Sequence, residues 1–217
     1  MVDLIHYESG KFLGQIPEVA HTYNVVGLMN EHQVAMGETT FGGLDSLQSQ
    51  PGALPDYGSL MKLALQRAKT AREAIMIIAE LVGKYGYASS GESFSISDKN
   101  EAWIMEIIGK GKYEKGAVWV AMRIPDGYVS AHANQARITT FPFQKKNDWK
   151  NLNQEVYHSP DVISFAKKHG FYKGTDAAFS FSDVYNPISF DGSRFCDARV
   201  WAFFRKVNKD IRNNTSY

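Results

Sequence analysis

The stretch SFSISDKNEAWIMEII, Ser93–Ile108, carries the decision about fold class. Phe94 and Ile96 alternate with serines, the run Asp98–Glu101 is turn chemistry, and Trp103, Met105 and Ile107 return on one face, so the period is two and the unit is a hairpin. On its C-terminal side, AVWVAMRI (117–124) and GYVSAHANQARITTF (127–141) extend the sheet, with Pro125-Asp126-Gly127 as the turn between them. On its N-terminal side the period becomes helical. Ser59 opens a helix that runs to Lys69 with a broad apolar face. Thr70-Ala71-Arg72-Glu73 is a capping box for a second helix, on which Ala74, Ile78, Leu81 and Tyr85 recur.

Further upstream, 22–38 reads as two β-segments around the polar tip Asn30-Glu31-His32, followed by a turn-rich loop. Beyond the sheet region lies a polar loop, QKKNDWKNLNQE (144–155). Ser159 then caps a helix with Pro160 at its first position, ending at Gly170, and a last helix over 195–207 has an aromatic face of Trp201, Phe203 and Phe204. The βαβ alternation of a parallel sheet is absent, so the class is α+β. Two antiparallel sheets with helices outside and one sheet with helices on a single face both satisfy this pattern.

Composition narrows the partners. The 217 residues suit one large domain, 1–217, and 24 basic against 23 acidic side chains give a net charge of +1. That balance offers no electrostatic reason to expect nucleic acid. The run Ala74–Ala79 is far shorter than the roughly 20 apolar residues of a membrane span, so no membrane association is expected. Residues 1–14 lack the basic and apolar regions of an export signal. With one cysteine, Cys196, which has no internal disulfide partner, a cytoplasmic location is the expectation if no signal lies upstream.

Nucleotide motifs, GxSxG and HExxH are missing, and the six histidines do not fall at metal-ligand spacing. Glu38 and Glu106 lie on expected strands and would make an acid–base pair only if the fold joined them; hydrogen-bonded or solvent-facing roles are the plainer reading. Asn30 at the hairpin tip, Asn134 in an unusually polar strand and Arg194 at the start of the last helix could together form an oxyanion hole with a fixed cation. A nucleophile is lacking from that set.

The blocks GLMNEHQVAMGETTFGG, DYGSLMKLALQRAKTAREAI, GESFSISDKNEAWIMEIIGKG, AHANQARITTFPF and FDGSRFCDARVWAFF, in this order over roughly 3–207, resemble the dipeptidases of peptidase family C69, relatives of the penicillin V acylases and bile salt hydrolases. The resemblance implies an N-terminal nucleophile (Ntn) hydrolase fold, an αββα sandwich of two antiparallel sheets between helix layers. It also implies a short peptide substrate, no cofactor, and a first-residue cysteine that attacks the amide with its own α-amino group as base. Asn30 and Asn134 would then bind the oxyanion, and Arg194 would keep the nucleophile's surroundings electropositive.

This chain departs from the pattern at its start, where Met1 stands and no cysteine precedes Cys196. The expectation is a truncated, internal part of a larger enzyme that supplies oxyanion-hole and pocket residues but not the nucleophile, with little or no activity alone. Cys196 is not expected to act as nucleophile. An inactive remnant, a peptide-binding domain and an acylase of the same superfamily are the alternatives, and self-association through exposed sheet edges is left open.

Overall fold

The computed structural model describes residues 1–211 except 145 and 209. Nine strands are present among the described residues: β1 (Val2–Ile5), β2 (Phe12–Ile16), β3 (Val25–Val26), β4 (Met29–Asn30), β5 (Ala35–Gly42), β6 (Gly91–Ser97), β7 (Ala102–Gly109), β8 (Ala117–Ile124) and β9 (Val156–His158). The helices are α1 (Tyr57–Arg67), α2 (Ala71–Tyr85), α3 (Val162–Lys168), α4 (Phe181–Tyr185) and α5 (Ala198–Val207), the last preceded by a π-helical stretch, Gly192–Asp197. Strands β3 to β9 pair in sequence order as one seven-stranded antiparallel sheet, and β1 and β2 form a separate two-stranded sheet. The α+β class therefore holds.

The hairpin at 93–108 is the centre of the sheet. Trp103 lies opposite Ile96 and Met105 opposite Phe94. These side chains pack with α1 and α2 in one core, whereas Ile104 and Ile108 enter a second core with α3, α4, Ala136 and Ile138. Strands covered on both faces lose the alternation of a half-exposed sheet, which is why β7 and β8 read as nearly continuous apolar runs. The β1–β2 sheet lies on the outer side of α1, where Gly58 is required because a Cβ there would stand 2.7 Å from the Tyr7 ring.

The helix starts are set by side-chain oxygens. Asp56 accepts from the Ser59 N–H at 2.8 Å, so α1 begins two residues earlier than its apolar face indicates. Thr70 accepts from the Glu73 N–H, and the Glu73 carboxylate reaches back to the Lys69 N–H at 2.7 Å. Asp98, in the turn of the central hairpin, accepts from the Ala71 N–H at 2.8 Å and so ties the sheet to the first turn of α2.

Two expected elements differ. Ser159 does not cap α3; its hydroxyl accepts from the Trp119 N–H of β8, and the helix starts at Val162, two residues beyond the expected Pro160. Residues 127–141 form no strand. Apart from an isolated bridge between Thr140 and Ser180, the segment crosses the sheet face, with the N–H groups of Arg137 and Ile138 accepted by Glu106 of β7. Within 144–155, residue 145 lies outside the described residues, and the others form neither helix nor strand.

Candidate active site

Three polar anchors lay the segment 132–138 across the face of the sheet opposite α1 and α2. His132 bridges Thr39 Oγ1 (2.6 Å from Nδ1) and Ser95 Oγ (2.8 Å from Nε2), and burial lowers its pKa, favouring the neutral ring. Glu106, fully buried, accepts from the backbone N–H groups of Arg137 (2.5 Å) and Ile138 (3.0 Å). Its pKa is raised to about 7 because loss of hydration outweighs those two donors.

Asn134 is the third anchor. It holds a left-handed backbone conformation (φ 58°), which asparagine tolerates better than most residues, and its Nδ2 donates to the Thr40 carbonyl at 2.6 Å. That carbonyl sits beside an irregularity in the β5–β6 register between Thr40 and Gly42. Bulges of this kind re-aim side chains at the ends of sheets, frequently beside active sites.

The C-terminal helix closes over the same segment. Arg199 donates to Asn134 Oδ1 at 2.8 Å and to the Ala133 carbonyl at 3.1 Å, while Arg137 pairs with Asp197 at 2.8 Å. With one oxygen receiving a guanidinium and one nitrogen held on Thr40, the Asn134 amide has its orientation determined from both ends. Beside it opens a cleft of about 540 Å³, whose walls include Gly43, Asp45, Gln135, Asn186, Asp191, Phe195 and Cys196. Gly43 cannot be replaced here: its φ is 81° and a Cβ would lie 2.3 Å from Ile108.

Of the three residues singled out in the sequence, Asn134 alone lines this cleft. Asn30 is buried against the end of α1, where Nδ2 donates to the carbonyls of Leu65 and Ala68, both at 2.7 Å. Its Oδ1 accepts from the N–H groups of His32 and Val34, both at 3.0 Å, and its own N–H donates to Val34 O. No donor remains for an oxyanion, so the structure assigns Asn30 to fixing the turn. It also lies at the other end of β5: Met29 pairs with Ala35, whereas Asn134 holds Thr40, five residues or roughly 16 Å further along the strand.

Arg194 is exposed, with its guanidinium 4.9 Å from the centre of the Phe195 ring. The arginine that meets Asn134 is Arg199, for which the sequence carried no signal, because nothing local distinguishes it from the other arginines of the last helix. Cys196 is half-buried in the cleft wall, on a π-helical turn, a geometry frequent at functional sites. Glu38 and Glu106 lie on opposite faces of the sheet, since Glu38 is opposite Phe94 and Glu106 opposite Ser93, and therefore do not form a pair. Among the described residues, no three His, Cys, Asp or Glu side chains cluster to hold a metal ion.

Comparison with known proteins supplies an independent line. The family model described as Peptidase family C69 matches residues 5–217. A "Probable dipeptidase" of Salmonella dublin is 25% identical over 221 aligned residues, covering 92% of this chain and 47% of that protein. A "Probable dipeptidase" of Latilactobacillus sakei is 28% identical, covering 71% of this chain and 29% of its own length. A "Probable dipeptidase B" of Streptococcus pyogenes serotype M1 is 30% identical, with 71% and 28% covered. The chain spans about half the length, or less, of the curated relatives it matches.

Proposed function

This chain belongs to peptidase family C69, and from that membership we propose that it is the pocket-bearing part of a cysteine-type dipeptidase of Ntn-hydrolase architecture. The observation that carries the reading is the family match over 5–217, which includes every residue of the Asn134 cleft. In this reading the scissile amide lies in the cleft beside β5. The Asn134 amide, oriented by Arg199 and Thr40, turns one N–H toward the oxygen on which negative charge grows as the carbonyl becomes tetrahedral. Arg199 acts as a positioning residue, and Arg194 adds positive charge at the outer edge.

The attacking sulfur, in the same reading, is a cysteine that this chain does not contribute. Cys196 sits on the helix that carries the positioning arginine and serves as part of the wall. A second reading, peptide binding without turnover, is favoured by one observation: the chain's single cysteine lies late, in that wall.

The purified chain is to be tested with dipeptides and with N-acylated amides, in the wild type and in Cys196→Ser. Saturable binding of dipeptides without turnover by this chain, together with turnover unchanged by Cys196→Ser in a longer protein that carries a first-residue cysteine, supports the proposal. Turnover abolished by that substitution would make Cys196 the nucleophile and overturn the assignment. Preference for N-acylated amides would replace dipeptidase by acylase.

A further inference from the structure

The His132 ring has a hydroxyl on each nitrogen: Nδ1 lies 2.6 Å from Thr39 Oγ1 and Nε2 lies 2.8 Å from Ser95 Oγ. A neutral imidazole carries one N–H donor and one lone-pair acceptor, so it donates to one of these hydroxyls and accepts from the other. Burial keeps the ring neutral, and the acceptor is therefore available at pH 7. The two hydroxyls differ in access. Thr39 is half-buried on β5, whereas Ser95 on β6 is exposed.

The sheet register leaves room on one side of that serine. Gly37 of β5 lies directly opposite Ser95, so both positions look out of the same face, and a Cβ on Gly37 would meet nothing within 4 Å. On the other side Ser95 is opposite Ile104 of β7, a member of the second core. The hydroxyl thus stands between an apolar wall and an open space. Thr39, Ser95 and His132 do not line the Asn134 cleft, and the site does not depend on how that cleft is read.

We propose that Ser95 and His132 form a nucleophilic dyad that takes the acyl group of small esters of acidic alcohols, with Thr39 as the positioning residue for the ring. A hydroxyl nucleophile, an imidazole base on it and a third group on the far nitrogen are the parts that activate a serine. Ser95 Oγ bonds to the acyl carbon while its proton passes to His132 Nε2. The bond to the alcohol oxygen breaks, and the alcohol leaves with that proton. Water, giving its proton to the same ring, then releases the acid and restores the serine. Because a hydroxyl, not a carboxylate, holds Nδ1, the imidazolium gains less stabilisation, which matches the dyad to leaving groups such as phenols that need little help from an acid.

The test uses p-nitrophenyl acetate on the full chain, with Cys196→Ser as the background because the thiol would compete for the ester. Nitrophenolate release is followed by absorbance, the acetyl group is located by peptide mass mapping, and amide NMR dispersion verifies that each variant is folded. Expected is acetylation of Ser95 at least about tenfold faster than of Ser164, an exposed serine whose hydroxyl donates to the Asp161 carbonyl. Ser95→Ala should remove the fast phase of release, and His132→Gln should slow Ser95 acetylation at least about tenfold. Thr39→Val should slow it by about threefold and Thr39→Ser should restore it, a pair that decides the matter if His132→Gln does not fold. Acetylation of Ser95 no faster than of Ser164, a rate unchanged in His132→Gln or in Thr39→Val, or an acetyl group confined to Thr39 or His132 would overturn the dyad and leave His132 as an anchor alone.

Discussion

Asn30 uses both amide hydrogens and its side-chain oxygen inside the protein, joining the β4–β5 turn to the end of α1. Asn30→Ala should strand two carbonyls and two N–H groups in a buried site. The expected loss is about 2–4 kcal/mol in urea unfolding, and a loss below about 0.5 kcal/mol would refute the structural role. Asn134 differs in having the cleft beside it. In an assembled, active enzyme, Asn134→Ala should lower kcat by about 100-fold with a smaller change in KM, the scale for one oxyanion donor. Arg199→Lys loses the directed guanidinium contact but keeps a charge; it should lower kcat less than Asn134→Ala, and an unchanged kcat would remove Arg199 as a positioning residue. Asn30 stands out in the sequence as a hairpin tip and Asn134 as part of an unusually polar strand, and their partners explain why their roles diverge.

Among the elements, the junction of α2 with the central hairpin offers the clearest test. Asp98 accepts from Ala71 N–H through one oxygen and from the N–H groups of Asn100 and Glu101 through the other. Asp98→Ala should therefore loosen the turn and the helix start together, at about 1–2 kcal/mol, while Thr70→Ala should cost about 1 kcal/mol. Because both act on one helix terminus, the double variant should depart from the sum of the singles by more than about 0.5 kcal/mol; strict additivity in thermal unfolding would argue against a shared cap. The capping box was legible because its partners are local in sequence. Ser159, with a comparable local pattern, was claimed by the Trp119 N–H of a strand 40 residues away.

At the scale of the whole molecule, two carboxylates inside the fold set a pH dependence. Glu106 has a pKa raised to about 7 by burial, and Glu92 is pushed well above the usual carboxylate range by burial and by the neighbouring Glu38. A carboxyl with a folded pKa above its unfolded value favours the fold while protonated. Its contribution is complete below pH about 4.5 and is lost as pH rises through the folded value. For Glu106 the difference corresponds to about 3 kcal/mol. Below pH 6.5 the lowered pKa values of His132 and His158 act in the opposite sense; above it, unfolding free energy should fall up to about pH 9, and Glu92→Gln, which retains an acceptor for the Thr40 hydroxyl, should flatten the fall at its alkaline end. A wild-type stability that climbs across that range would contradict the assignment.

By itself the sequence determined the central hairpin, the capped α2, the last helix and the α+β class, because periodicity and capping act within a few residues and are written in consecutive positions. The order of blocks likewise carried the family. What only the tertiary structure decided is where polar residues find partners. The segment 127–141 reads as another strand, yet it lies across the sheet because Glu106, Thr39, Ser95 and the Thr40 carbonyl hold it there. Asn134 came to a cleft and Asn30 to a helix end because the carbonyls to which their side-chain nitrogens donate lie 35 to 94 residues away in the chain. Spacing along a chain does not encode such distances, and only packing the sheet between its two cores brings those groups together.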